Sequence, residues 1–328
     1  MTVNSTRVAF ILMLLVCLIW GAEYVLVDLA IEVLPTHSFN TIRFTIAALS
    51  LLPLLWFSKE KIPDGKHLTL LGTGSLLGLL LFIGFYTQTE GLLFTSVSNA
   101  GFITALVVPL VPLLGLILLG IKRPLPVWIG VACATIGLYY LTIGDNLEFN
   151  KGDLLVLICA FAFSLHIIIT GKVVGNLPII PLSLIQLTSV AIYSGIAALL
   201  SSGPLINGHS DSVSDGVQLL LSPIIISALL VAGILGSGFA TWAQASSQRL
   251  LQPHQIALIF ASEPIFAWFF AWLFLGEKLG TQGIIGAGMI IIGMLISELG
   301  DRSPKGKKSK RGEHTVKVKP LEHLASSD

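Results

Sequence analysis

The chain has 328 residues, of which 54% are hydrophobic and only 11% charged, and its mean hydropathy is +0.88. Ordinary soluble domains carry about 25% charged residues, so a soluble globular domain is excluded. Nineteen Lys and Arg against eighteen Asp and Glu give a net charge of +1, which leaves no basic excess for nucleic acid.

A helix needs about 20 mostly apolar residues to cross a bilayer. Runs of that kind fall at roughly 8–27, 37–57, 68–89, 95–119, 125–143, 153–171, 179–200, 219–246, 253–275 and 280–299. Lipid offers no partners for the backbone, and the runs lack the alternation of strands, so they predict helices. The first run follows Arg7 in the manner of a secretory signal. Gly21-Ala22-Glu23 is a poor cleavage site, however, and apolar sequence continues to Leu34, so the run reads as a retained helix. Cys17, Cys133 and Cys159 lie in apolar runs without a His or second Cys at ligand spacing. They read as packing residues, with no disulfide framework, metal site or cofactor implied.

With the N-terminus inside, sixteen of the nineteen Lys and Arg fall on inner segments, only Lys151 and Lys278 on outer loops, and Arg43 within a helix. The positive-inside rule then predicts that both termini are cytoplasmic.

The chain also repeats. At an offset of 143, Glu23 falls on His166, Pro35 on Pro178, Ile42 on Ile185 and Arg43 on Gln186. At an offset of 156, Tyr86 falls on Trp242, Gln88 on Gln244, Ala105 on Ala261, Gly130 on Gly286 and Gly137 on Gly293. The polar stretch Ser201–Gln218 accounts for the change of offset. Five helices followed by five related helices enter the membrane from opposite sides, because five is odd. The expected fold is an all-α integral membrane protein of ten transmembrane helices in two inverted-topology repeats, an arrangement frequent in secondary transporters. The expected division is a short N-terminus (1–7), a first repeat (8–143), an outer linker (144–152), a second repeat (153–299) and a basic tail (300–328). The run Lys305–Arg311 has no apolar face. It reads as a solvated segment that fixes topology, or as a contact for anionic lipid of the inner leaflet.

Several motifs carry a family resemblance: Trp20-Gly21, Ser98-Asn99-Ala100-Gly101-Phe102, Ser262-Glu263-Pro264 and Leu275-Gly276-Glu277-Lys278. In this order and layout the sequence resembles the drug/metabolite transporter superfamily, in particular the EamA-type bacterial exporters. The resemblance covers about 8–300 and implies a plasma-membrane (bacterial inner-membrane) protein that moves small metabolites by alternating access through a central cavity. The first half departs from the pattern, with Ile121-Lys122 where the second has Glu277-Lys278.

A charge at the centre of a membrane helix costs about 2.5–3.5 kcal/mol on the insertion scale, so the charges retained there are informative. Trp20, Glu23, Tyr24 and Val27 share one helix face, a stripe suited to an amine or proton beside an apolar substrate body. Glu23 reads equally as an interfacial group paired with Arg43 or water. Arg43 can hold a carboxylate or phosphate bidentately, or can form a structural pair with Glu23, Asp28 or Glu32. His166, at the register of Glu23, suits proton exchange or hydrogen-bonded packing. Glu263 is the deepest carboxylate, and Pro264 beside it removes a backbone donor and can kink the helix. Gln88, Asn99, Gln244 and Gln255, with Tyr86 and Trp242 alongside, suit either cavity lining or helix–helix adhesion.

The candidate substrate-binding set is Trp20, Tyr24, Arg43, Tyr86, Gln88, Asn99, Trp242 and Gln244, and the candidate proton-coupling groups are Glu23, Glu263 and His166. Of these, Trp20, Tyr24, Arg43, Gln88 and Gln244 are expected to line one central cavity. The leading function is a secondary transporter, in the exporting direction by resemblance, for a small organic metabolite such as an amino acid or nucleoside. The alternatives are a facilitator independent of ion gradients and an integral membrane enzyme acting on lipid. No phosphate-binding loop is present, and the expected partners are a small-molecule substrate and the bilayer.

Overall fold

The computed structural model describes residues 3–58, 60–95, 97–142, 150–201, 221–275 and 280–301. Every element found among them is helical. The first repeat contains α1 (Thr6–Val33), α2 (Thr36–Phe57), α3 (His67–Leu92), α4 (Val97–Ala105), α5 (Val107–Leu119) and α6 (Leu125–Thr142). The second contains α7 (Lys151–Val173), α8 (Ile179–Leu200), α9 (Pro223–Leu230), a π-helical stretch Val231–Phe239, α10 (Ala240–Ser247), α11 (Pro253–Phe260), α12 (Glu263–Leu275) and α13 (Thr281–Asp301).

Among the described residues seven helices are long and apolar enough to cross a membrane, counting α4–α5 and α9–α10 as continuous rods. Leu125–Tyr140 and Thr281–Ser297 are shorter apolar helices. The expected ten crossings are therefore not all met by single helices of full length. Large apolar side chains point outward along the bundle, and Trp56, Leu68 and Leu199 are each more than four-fifths exposed. That surface suits lipid rather than water.

Two rods are broken, at corresponding places. The fourth predicted run divides at Leu106, between α4 and α5, and the ninth divides at Ala261-Ser262, between α11 and α12. The offset of 156 carries Leu106 onto Ser262. In the second case Pro264 cannot continue the hydrogen-bond ladder, and Ser262 Oγ donates to Ile259 O at 2.7 Å. Glu263 thus begins a helix, at the place in the ninth run where Pro264 is expected to kink it.

Helix packing obeys the same exchange. A Cβ on Gly130 would lie 2.5 Å from Gly293 O, and one on Gly137 would lie 2.7 Å from Gly286 O. Swapping the repeats turns the first contact into the second, so α6 and α13 cross as an antiparallel, self-related pair. Small residues permit this closeness, in keeping with membrane helices that associate by close backbone packing. Likewise Gly78 of α3 would meet Gln186 O on α8 at 2.7 Å, while Gly233 would meet Arg43 O on α2 at 3.0 Å. Gln186 and Arg43 are the repeat-matched positions.

Candidate substrate-binding cavity

The π-helical stretch has the sequence VAGILGSGF. Its small residues let it press against α2 and α1: a Cβ on Gly233 would lie 2.8 Å from Ile46 Cγ2, and one on Gly238 would lie 3.1 Å from Ala47 O. The widened turn leaves Gly236 O able to accept from Trp20 Nε1 at 2.7 Å. A Cβ on Gly236 would overlap Glu23 Oε2. Only glycine leaves room for the carboxylate there.

That carboxylate is paired. Arg43 Nη2 donates to Glu23 Oε1 at 2.7 Å, and Arg43 Nε donates to Ser237 Oγ at 2.7 Å. The Arg43 and Glu23 side chains are 2% and 7% exposed. Arg43 Cζ stands 4.7 Å from the centre of the Phe85 ring and 5.4 Å from that of Phe44, in cation–π range. The second half holds the matching pair: His166 Nε2 lies 2.8 Å from Gln186 Oε1, and Gln244 Nε2 lies 3.4 Å from His166 Nδ1. Gln244 in turn donates to Gln248 Oε1 at 3.1 Å, and Gln248 donates to Ile167 O at 2.7 Å.

Between these two polar pairs lies a cavity of about 80 Å³. Trp20, Glu23, Arg43, Gln88, His166, Gln244 and Glu263 line it, and Phe85, Phe163 and Phe260 supply aromatic wall. The Trp20 and Phe260 rings are 4.9 Å apart, and those of Phe85 and Phe163 are 5.0 Å apart. Gln88 Nε2 donates to Thr104 Oγ1 across the wall at 3.1 Å. Aromatic surface with a few convergent polar groups is the usual make-up of a small-molecule site.

The cavity reaches toward Val27, Leu92 and Gly101 at one end of the bundle. At the opposite end Glu60 and Arg249 approach to 3.5 Å, Glu60 Oε2 accepts from Ile180 N at 3.0 Å, and Arg249 donates to Val174 O and Leu177 O. These contacts tie the α2–α3 connection to the second repeat below the cavity.

Four of the five residues expected in the cavity wall, Trp20, Arg43, Gln88 and Gln244, stand there together with Glu23, Glu263 and His166. Tyr24 and Asn99 have side chains outside the described residues, as do Glu277, Lys278 and the basic run of the tail. Two further candidates pack elsewhere. Tyr86 is absent from the described cavity wall, and its ring packs on Phe82 at 5.6 Å. Trp242 is likewise absent, packing on Phe239 at 6.0 Å. Each lies two residues before a lining glutamine, and positions two apart on a helix do not share a face. Sequence reasoning missed Thr89, Thr104, Thr241 and Phe85 in the wall, and Ser237 as the partner of Arg43. Thr104 precedes the break at Leu106 by two residues, a position that the repeat could have flagged.

The fold and the site together define a multi-pass helical membrane protein with a polar and aromatic chamber between two inverted halves. The sequence profile of the EamA-like transporter family matches residues 7–143 and 150–299, and the chain belongs to that family. It is accordingly a transporter. It is 29% identical over 290 residues to a transporter of Archaeoglobus fulgidus, covering 87% of this chain and 84% of that protein. It is 27% identical over 293 residues to the inner membrane transporter YedA of Escherichia coli, covering 86% and 88%. The Bacillus subtilis transporter YoaV is 25% identical over 289 residues, with 86% of this chain and 94% of that one covered. A solved crystal structure superposes with a TM-score of 0.71 at 14% identity, covering 91% of this chain and 99% of its own, which extends the likeness in fold.

Proposed function

We propose that the chain is a secondary transporter of the inner membrane that exports a small amphipathic metabolite by alternating access, with both termini in the cytoplasm. The observation that carries this reading is the buried Glu23–Arg43 pair set into an aromatic wall, facing His166 and Gln244 across one chamber. A substrate bearing an ammonium and a carboxylate can exchange partners with that pair, offering its cation to Glu23 and its anion to Arg43. Its apolar body then stacks on Trp20, Phe85 or Phe260. Amino acids fit this description best, and nucleosides fit the aromatic wall and the amides. Glu23, Glu263 and His166 are the groups in reach to carry a proton as the chamber changes sides.

The test is thermal stabilisation of the purified protein by a panel of amino acids, nucleosides and organic anions, followed by counterflow of any hit in proteoliposomes. Saturable exchange that disappears in Arg43→Gln is expected. A panel without a hit, or exchange indifferent to Arg43, overturns the assignment of this chamber.

A further inference from the structure

A second cavity, of about 120 Å³, lies at the end of the bundle that carries Lys66, Arg123, Lys172 and Arg249. It sits between α5, the end of α7 and the start of α11. Its described walls hold three basic side chains, Arg123, Lys172 and His254, and neither Asp nor Glu. Val111, Pro112 and Leu119 complete an apolar floor.

The residues come together for local reasons. Gly171 is pressed by Pro253, whose Cγ would lie 2.7 Å from a Cβ there, so the last turn of α7 meets the first turn of α11 directly. Arg123 donates to Gln252 Oε1, which anchors the α5–α6 connection beside the same turn. His254 is 1% exposed on the second residue of α11. A helix start adds partial positive charge to the two full charges.

We propose that this cavity is an anion site, separate from the central chamber, that takes a compact oxyanion such as a phosphate or carboxylate. Arg123 and Lys172 supply the charge, and His254 supplies a ring nitrogen from the buried side. Arg123 offers a planar fork that fits two oxygens of such a group, and Lys172 a mobile point charge at the rim.

Two sources share this chemistry, a free anion from solution and the headgroup of an anionic lipid. The full chain, reconstituted in nanodiscs of zwitterionic phosphatidylcholine, is titrated with inorganic phosphate at constant ionic strength, with chloride as control. The thermal midpoint is read in this series and again in nanodiscs containing phosphatidylglycerol. Phosphate is expected to raise the midpoint saturably. Arg123→Gln and Lys172→Gln should each weaken the apparent affinity by about tenfold, with partial recovery in Arg123→Lys. Stabilisation by phosphatidylglycerol alone, dependent on the same two residues, assigns the site to a lipid headgroup. If neither anion stabilises the protein, or if the two Gln variants are stabilised as readily as the parent, the site does not exist. Lys172 is exposed and Arg123 half-buried, and binding is read without transport, so the result stands apart from the fate of the central chamber.

Discussion

His166 stands 2.8 Å from Gln186, and 143 residues earlier Glu23 stands 2.7 Å from Arg43 at the corresponding positions. One geometry thus occurs twice, once charged and once neutral. Both pairs join the first helix of a repeat to the second, close to where the two halves meet. The neutral version gives His166 contacts on both ring nitrogens, with Nε2 donating to Gln186 and Nδ1 accepting from Gln244. The charged version keeps a guanidinium and a carboxylate almost fully buried. The chamber therefore has one ionic wall and one amide wall.

Removing one partner of a buried ion pair leaves the other charge unpaired, at a cost of about 3–5 kcal/mol, whereas replacing both by apolar groups is often close to neutral. Glu23→Leu and Arg43→Leu should therefore each lower the thermal midpoint in detergent strongly, and the double variant should recover most of the loss. Transport should be lost in all three. Single variants as stable as the parent would show that the two side chains do not depend on each other.

Much of this was legible in the residues. The offsets of 143 and 156 predicted the inverted halves, and mid-membrane charge singled out Glu23, Arg43, His166 and Glu263. Pro264 marked a kink in the ninth run, but composition did not show a full break there or at Leu106. Composition reads 253–275 as one apolar run, because a break after Ala261 changes no side-chain polarity. The π-helical stretch was hidden for the same reason: VAGILGSGF is equally apolar in a regular helix, and its close approach to α1 and α2 cannot be read from composition. Tyr86 and Trp242 match in the repeat register, but each lies two residues from a lining glutamine and so on a different face of its helix.

Gly236 offers a sharper probe than any polar residue. A methyl group there would overlap Glu23 Oε2 and disturb the bond from Trp20 Nε1 to Gly236 O. Gly236→Ala should lower both stability and substrate affinity, since the carboxylate or the π turn must move. Gly72→Ala is the control, because a Cβ at Gly72 meets nothing within 4 Å and alanine favours helix. Equal behaviour of the two variants would refute the close approach.

The α6–α13 crossing predicts paired effects. A Cβ on Gly137 would lie 2.8 Å from Ile290 N, and one on Gly293, its repeat-matched position, would lie 2.8 Å from Ala134 N. Gly137→Val and Gly293→Val should each separate the helices and reduce folded yield, by similar amounts. Fluorescence size-exclusion profiles would measure this. A large asymmetry between the two would contradict a self-related contact.

Proton coupling can be examined group by group. In a proton antiporter, an outside-acid gradient drives protons inward as substrate leaves, so it should accelerate efflux from inside-oriented proteoliposomes. The coupling group must meet the chamber and change protonation as the chamber changes sides. Glu23, Glu263 and His166 all line it. Of these, Glu23 is ion-paired with Arg43 and is the group that a substrate cation would engage, so a proton and the substrate would compete for its carboxylate, as antiport requires. Glu23→Gln mimics the protonated state and should keep exchange at equal pH while losing gradient-driven accumulation. Glu263→Gln and His166→Ala should keep some response to the gradient if Glu23 carries the proton. Accumulation surviving in all three variants would rule out these groups, and a parent protein indifferent to pH would identify a facilitator or a transporter driven by another ion.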